Sequence, residues 1–243
     1  MPINPKRTQL NRALSKLGFC SRTVANEWIL TGKVRVNGKA AVCKEDWVEL
    51  GKDRIEVVGR ASTAKGMPTS HIYLYLNKPA DYVTTRSDEL GRKTVYDLLP
   101  PDLSSDWIFP VGRLDKDSEG LLIMTDDGEW ANHLTDPLFH VEKTYRVKLD
   151  GKPTEAQLRT FRTGIELTGG KTRPARVIEE KGSWYRVILE EGRNRQIRRM
   201  FHDLGFKVKR LLRIAIGPLN LEDLKPGETR MLDPQQIKEL SGK

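Results

Sequence analysis

Only two cysteines and four histidines occur in the 243 residues, and aromatic residues are 7% of the chain. Cys20 and Cys43 stand far apart in sequence with no histidine near either, so neither a disulfide framework nor metal-ligand spacing is supported; both are expected to be reduced structural thiols. His71, His133, His140 and His202 show no metal spacing either. No apolar run approaches the ~18 residues of a membrane span. The start of the chain is basic but lacks the apolar segment of a signal peptide, so a cytoplasmic protein with no membrane partner is expected. There is no Gly-rich phosphate loop and no serine in a nucleophile-elbow pattern, which removes the common nucleotide-binding and acyl-transfer chemistries.

What is abundant is positive charge, and it is clustered. The formal net charge is +9, yet residues 1–39 and 192–213 each hold eight Lys or Arg against a single acid, while the rest is on balance acidic. Two basic zones on an acidic body imply a polyanion held at two places, and nucleic acid is the natural candidate. A surface kept basic for solubility would scatter its lysines.

The first seven residues read as a loose tail. Leu10, Ala13, Leu14 and Leu17 then fall at the spacing of a short amphipathic helix that Gly18 can close, and Ser21 can cap a second helix carrying Val24 and Trp28. Val34 to Val36, Asn37-Gly38 and Ala40 to Val42 form a hairpin signal, and a strand near Ile55 to Val58 completes the unit. Arg12, Lys16, Arg22, Lys33 and Arg35 are expected on its surface. The run LNRALSKLGFCSRTVANEWILTGKVRVNGK resembles the S4 RNA-binding domain. That resemblance implies contacts from these basic residues to RNA phosphates. The plain alternative is a small helical cap on the main domain.

Residues 60–70, rich in Ser, Thr, Gly and Pro, read as a linker between a domain at 8–59 and another at 71–243. In the second, strands are expected at Ile72 to Leu76, Trp107 to Val111, Leu121 to Met124, Val141 to Leu149, Ala175 to Ile178, Trp184 to Leu189 and Val208 to Ile216, with fewer helices between them. Strands outnumbering helices, without repeats, imply an α+β fold with a mixed, mainly antiparallel sheet. Ile197, Met200, Phe201 and Leu204 share one arc of a helix; Arg198 and His202 flank that arc, and Arg199 points away.

Between two apolar runs lies Gly112-Arg113-Leu114-Asp115-Lys116-Asp117-Ser118-Glu119-Gly120, with three carboxylates and an arginine in one turn. Ionised carboxylates beside a core need cations or hydrogen bonds. A calcium loop fails on context, because both flanks read as strands and Asp126 stands where a bidentate Glu is wanted. A surface turn in which Arg113 pairs Asp117 or Glu119 is the bland reading. The chemistry available to this chain comes from carboxylate, tyrosine and arginine, which suits a flipped-out nucleotide.

GRLDKDSEGLL, with NKP before it and KTYRV, EGRNRQIRRM and RLLRIAIGPL after it, resembles the pseudouridine synthases of the RsuA type, in the same order. The resemblance implies a cofactor-free isomerisation of uridine to pseudouridine in folded ribosomal RNA or a ribosome assembly intermediate; the composition gives no reason to expect more than a monomer. By its motifs Asp115 is the catalytic aspartate, Tyr145 the tyrosine beside the base, and Arg198 the basic residue paired with that aspartate. Arg113 and Leu114 flank it at the substrate, Lys78 and Arg195 are candidates for phosphate contacts, and Asp117 and Glu119 support the turn. Whether Asp115 adds to C1′ or C6, or removes a 2′ proton, stays open. GRNRQIRRM and DELGRKTVYDLL resemble members acting on large-subunit RNA more than those acting on small-subunit RNA. The alternatives are a small-subunit enzyme and a non-catalytic RNA-binding assembly factor.

Overall fold

In the computed structural model, Asn37 and Gly38 adopt φ of 52° and 80°, the left-handed pair that a two-residue hairpin turn requires. The structure describes residues 7–16, 19, 22–41, 43, 46–50, 52–58, 71–103 and 108–242, save the side chains of 16 and 23. The expected linker 60–70, the cap at Ser21, Cys20, Trp107 and the side chain of Lys16 lie outside them. The chain divides into two compact units, one built mainly on residues up to 71 and the other on residues from 72 onward.

The first unit comprises β1 (Arg7–Gln9), α1 (Leu10–Lys16), α2 (Arg22–Leu30), β2 (Val34–Val36), β3 (Lys39–Ala40), β4 (Trp47–Glu49) and β5 (Ile55–Val57). β2 pairs antiparallel with β3 across the Asn37-Gly38 turn and with β5 on its other side. Leu10, Ala13, Leu14, Ala25, Ile29 and Val34 are buried in one core, the inward positions of helices and strand that alternation would select. Arg7 departs from the expected loose tail. It sits in β1, paired with β4 at Glu49, and neither three-residue strand has apolar alternation long enough to be read.

The second unit begins with β6 (Tyr73–Lys78), β7 (Phe109–Pro110), β8 (Glu119–Thr125), α3 (Gly128–Thr135), β9 (Lys143–Leu149) and α4 (Glu155–Thr163). It continues with β10 (Glu166–Leu167), β11 (Gly170–Lys171), β12 (Arg176–Glu180), β13 (Trp184–Leu189), α5 (Gln196–Asp203), β14 (Val208–Ile216), β15 (Leu219–Asn220), β16 (Thr229–Met231) and α6 (Pro234–Leu240). Among the described residues the main sheet runs β12-β13-β9-β14-β8-β6-β16, antiparallel except where β14 lies parallel to β8. The fold is therefore the mixed, mainly antiparallel α+β type.

Apolar side chains leave both sheet faces in patches. Val147, Tyr185 and Val187 pack with Phe161 of α4 and Ile197, Met200 and Phe201 of α5. Leu121 and Ile123 pack with Trp130 and Leu134 of α3 and Leu240 of α6. Leu74, Leu76, Leu122 and Met124, of the opposite parity, form another cluster with Leu114. Residues 94–99 turn as a 3-10 helix (Val95–Leu98) capped by Thr94.

Candidate active site

The turn 112–120 is fixed from beneath. Ser118 N–H donates to the Asp115 carbonyl at 3.0 Å, closing it, and Asp81 N–H donates to the Lys116 carbonyl at 2.8 Å. The Thr84 hydroxyl donates to the Leu114 carbonyl at 2.7 Å. Lys78, at the end of β6, has no exposed surface. Its ammonium donates to the carbonyls of Ser118 (2.7 Å), Pro79 (3.0 Å) and Lys116 (3.3 Å). Burial pushes its pKa down to about 8, with Asp117, Glu119, Asp115 and Asp81 opposing the fall. The phosphate contact expected of Lys78 is thus corrected: a fully buried ammonium with three carbonyl acceptors holds the turn and cannot meet a ligand.

Leu114 also departs from expectation. It is 6% exposed and belongs to the core cluster of β6 and β8, so it seats the turn instead of touching a substrate. Tyr145 of β9 is partly buried and packs against that cluster and against the α4–α5 cluster, which brings it to the same side as the residue before Asp115. Arg113 is exposed and has no ion-pair partner among the described residues, contrary to the surface-turn reading.

The carboxylates divide the cations between them. Arg195, which starts α5 in a left-handed conformation (φ 49°), donates from both Nη atoms to the two Asp117 oxygens at 2.9 Å each. Its Nη1 lies 3.6 Å from Oδ2 of Asp115. Arg198, one helical turn on, donates from Nη2 to the Asp117 carbonyl at 2.7 Å and from Nη1 to the Val208 carbonyl at 3.2 Å, and its Nε lies 3.4 Å from the Asp117 carboxylate. The expected Asp115–Arg198 pair is therefore corrected: Arg198 serves Asp117, and Arg195 is the nearest cation to Asp115. Arg195's hydrogen bonds, with help from the Arg198 charge, hold the Asp117 carboxyl below its usual pKa, while burial draws Arg198 down. Glu119 is engaged by Arg210 at 3.0 and 2.8 Å. Asp115 has the longest ion-pair contact of the three carboxylates, 3.6 Å to an Arg195 already engaged by Asp117, and is 27% exposed in its side chain. A partly exposed carboxylate on a fixed turn is open to a reacting atom.

Two supports escaped the sequence reading. Glu191 is buried and accepts from Arg173 N–H (2.9 Å), Gln196 Nε2 (2.7 Å) and Arg193 Nε (3.0 Å), tying the approach to α5. Arg213 is 5% exposed, donates from Nε to the Leu121 carbonyl at 2.7 Å, and lies opposite Tyr145 in the β14–β9 register. Buried charges inside a basic run carry no pattern that distinguishes them from surface ones. In the first unit, Arg12, Arg22, Lys33 and Arg35 are exposed.

Residues 72–203 match the family model for RNA pseudouridylate synthase, and residues 9–41 match that of the S4 domain. The chain is 39% identical to the ribosomal large subunit pseudouridine synthase B of Bacillus subtilis, over 96% of this chain and 95% of the relative. It is 35% identical to the protein of the same name from Pseudomonas aeruginosa, over 99% of this chain and 63% of that longer relative. A solved pseudouridylate synthase superposes with a TM-score of 0.71 at 30% identity, covering 96% of this chain and 99% of the other. The chain belongs to the RNA pseudouridylate synthase family, with an S4 domain ahead of the catalytic one.

Proposed function

We propose that the protein isomerises uridine to pseudouridine in ribosomal RNA, and that its target lies in the large subunit. The observation that carries this reading is Asp115: a partly exposed carboxylate on a turn fixed by Lys78 and Thr84, with the nearest guanidinium 3.6 Å away and already engaged elsewhere. The large-subunit names of the Bacillus subtilis and Pseudomonas aeruginosa relatives support the target.

In this reading Asp115 starts the detachment of uracil from C1′. The C1′–N1 bond breaks, the base turns beside Tyr145, and C1′ bonds to C5; C5 gives up its hydrogen as a proton and N1 gains one, so neither oxidant nor reductant is consumed. Tyr145 packs beside the base, which returns ~1–3 kcal/mol against the few kcal/mol of unstacking. Arg195 and Arg198, oriented by Asp117, hold the electrostatic balance around Asp115, and Arg113 meets the RNA backbone. Residues 8–59 form the RNA-binding domain, using Arg12, Lys16, Arg22, Lys33 and Arg35, while 60–70 link it to a catalytic domain at 71–243. The enzyme works as a cytoplasmic monomer on ribosomal RNA or an assembly intermediate.

Mapping pseudouridines in ribosomal RNA from a strain lacking the gene tests the target. A large-subunit site is expected to vanish and to return with the wild-type gene. Loss confined to small-subunit RNA would move the target, and an unchanged map of both RNAs would overturn the proposal.

A further inference from the structure

Along β9 and β13 the side chains alternate, as strands dictate. Val147, Tyr185 and Val187 face the α4–α5 core. The intervening residues, Arg146, Lys148, Trp184 and Arg186, therefore lie on the opposite face, joined there by Arg210 of β14. Three cations gather about one indole: Arg146 at 4.9 Å, Lys148 at 5.7 Å and Arg210 at 5.9 Å from the Trp184 ring. None of these residues belongs to an apolar cluster among the described residues.

The strand register adds a second, independent observation. Arg146 stands directly opposite Arg186, and Lys148 directly opposite Arg210. Like charges in directly opposed positions destabilise a sheet. Carboxylates relieve this only in part, because Glu180 serves both Arg146 and Arg186 and Glu119 serves Arg210. The four cations therefore outnumber their two carboxylates, and the arginines remain 42%, 49% and 56% exposed in the order 146, 186 and 210. A fold selected for stability alone would place a carboxylate or threonine at one member of each pair.

We propose that this face of the sheet, centred on Trp184, is a second RNA-binding surface that takes a phosphate backbone of the folded RNA substrate away from the target nucleotide. An RNA strand supplies the missing negative charge at phosphate spacing, and an indole among guanidiniums suits an unpaired base as well. Glu119, the partner of Arg210, shares the parity of Leu121 and Ile123, so this face lies on the side of the sheet opposite Tyr145 and joins the turn only through the start of β8. This inference rests on RNA being the substrate, and it adds a surface to the site already described.

The test compares the Lys148→Gln/Arg186→Gln double variant with wild type for affinity to a large-subunit RNA transcript over a range of salt. Affinity is expected to fall roughly tenfold and the slope of log affinity against log salt to shrink by about 1.5, the effect of two lost phosphate contacts. Each substitution relieves a like-charge pair but also removes a contact, Arg186 to Glu180 and Lys148 to the Gly182 carbonyl, so the thermal midpoint should change little; a large fall would mark a structural role. Trp184→Ala should also weaken binding. Lys225→Gln/Lys238→Gln removes the same charge from exposed positions in the region that includes α6 and serves as the control. Equal losses in control and test variants, or an unchanged salt slope in the test variant, would overturn the inference. Pseudouridine formation by wild type on the same transcript separates that result from a failure of the RNA-substrate reading itself.

Discussion

Lys78 is a charged side chain with no exposed surface, and its work depends on its proton. An ammonium can donate three hydrogen bonds, and three carbonyls of residues 79, 116 and 118 accept them. The neutral amine donates only two. With a pKa near 8, the turn that presents Asp115 loses one tie just above physiological pH. The single-turnover rate is expected to fall on an alkaline limb centred near pH 8, and Lys78→Met is expected to be slow at every pH and to lack the limb. An unaltered limb in Lys78→Met would contradict this role. For folding the sign is the reverse. The folded pKa lies below the unfolded value of 10.5, so the unfolded chain binds more protons between pH 8 and 10.5, and the stability penalty of Lys78 fades as pH rises through that window. The family resemblance singled out Lys78 through its NKP motif, but as a phosphate contact, and its burial was not legible. Burial comes from β6 pairing with β8 and passing under the turn, a tertiary fact that local sequence does not carry. The same holds for Arg198: its place on the flank of α5 follows from the helical period, whereas its choice of Asp117 over Asp115 depends on how the turn meets the helix.

At the scale of elements, the turn that carries Asp115 is secured by the parallel pairing of β8 with β14. Glu119 and Gly120 of β8 lie beside Leu212 and Arg213 of β14, and Gly120 has φ +104°. A Cβ there would fall 2.8 Å from the Arg213 nitrogen and closer still to its carbonyl oxygen. Both the backbone conformation and the contact exclude a side chain, so Gly120→Ala should lose roughly 3 kcal/mol or more. Urea denaturation measures it, and a midpoint equal to wild type would show that the strands are not so closely apposed. The glycine was visible in the sequence as part of the turn, but its reason lies in a strand more than ninety residues away. Elements with long alternation were readable: β13 and β14 occupy the expected Trp184 to Leu189 and Val208 to Ile216. Thr154 and Asp233 cap α4 and α6, each in a capping box with the glutamine three residues on. The strands β1, β4, β10 and β11, two or three residues long, have no period to read.

At the scale of the whole molecule, the two basic zones of the sequence serve different ends. The first leaves Arg12, Arg22, Lys33 and Arg35 exposed on the S4 unit. The second is largely consumed inside the catalytic unit. Arg193, Arg195, Arg198 and Arg210 are paired with carboxylates, and Arg213 is buried. Charge clustering pointed to a polyanion, yet much of the second cluster builds the site instead of facing solvent. The cations that do face outward in excess, Arg146, Lys148 and Arg186, are spread over two strands and leave no cluster in sequence. The central claim is that this assembly exists to bring one uridine to the Asp115 carboxylate. Tritium release from RNA labelled at C5 of uridine tests it most directly, since C5 must lose its hydrogen when it bonds to C1′. Wild type is expected to release tritium from a large-subunit transcript, and Asp115→Asn, with an unchanged thermal midpoint, to release none above background. Release by Asp115→Asn at the wild-type rate would contradict the account.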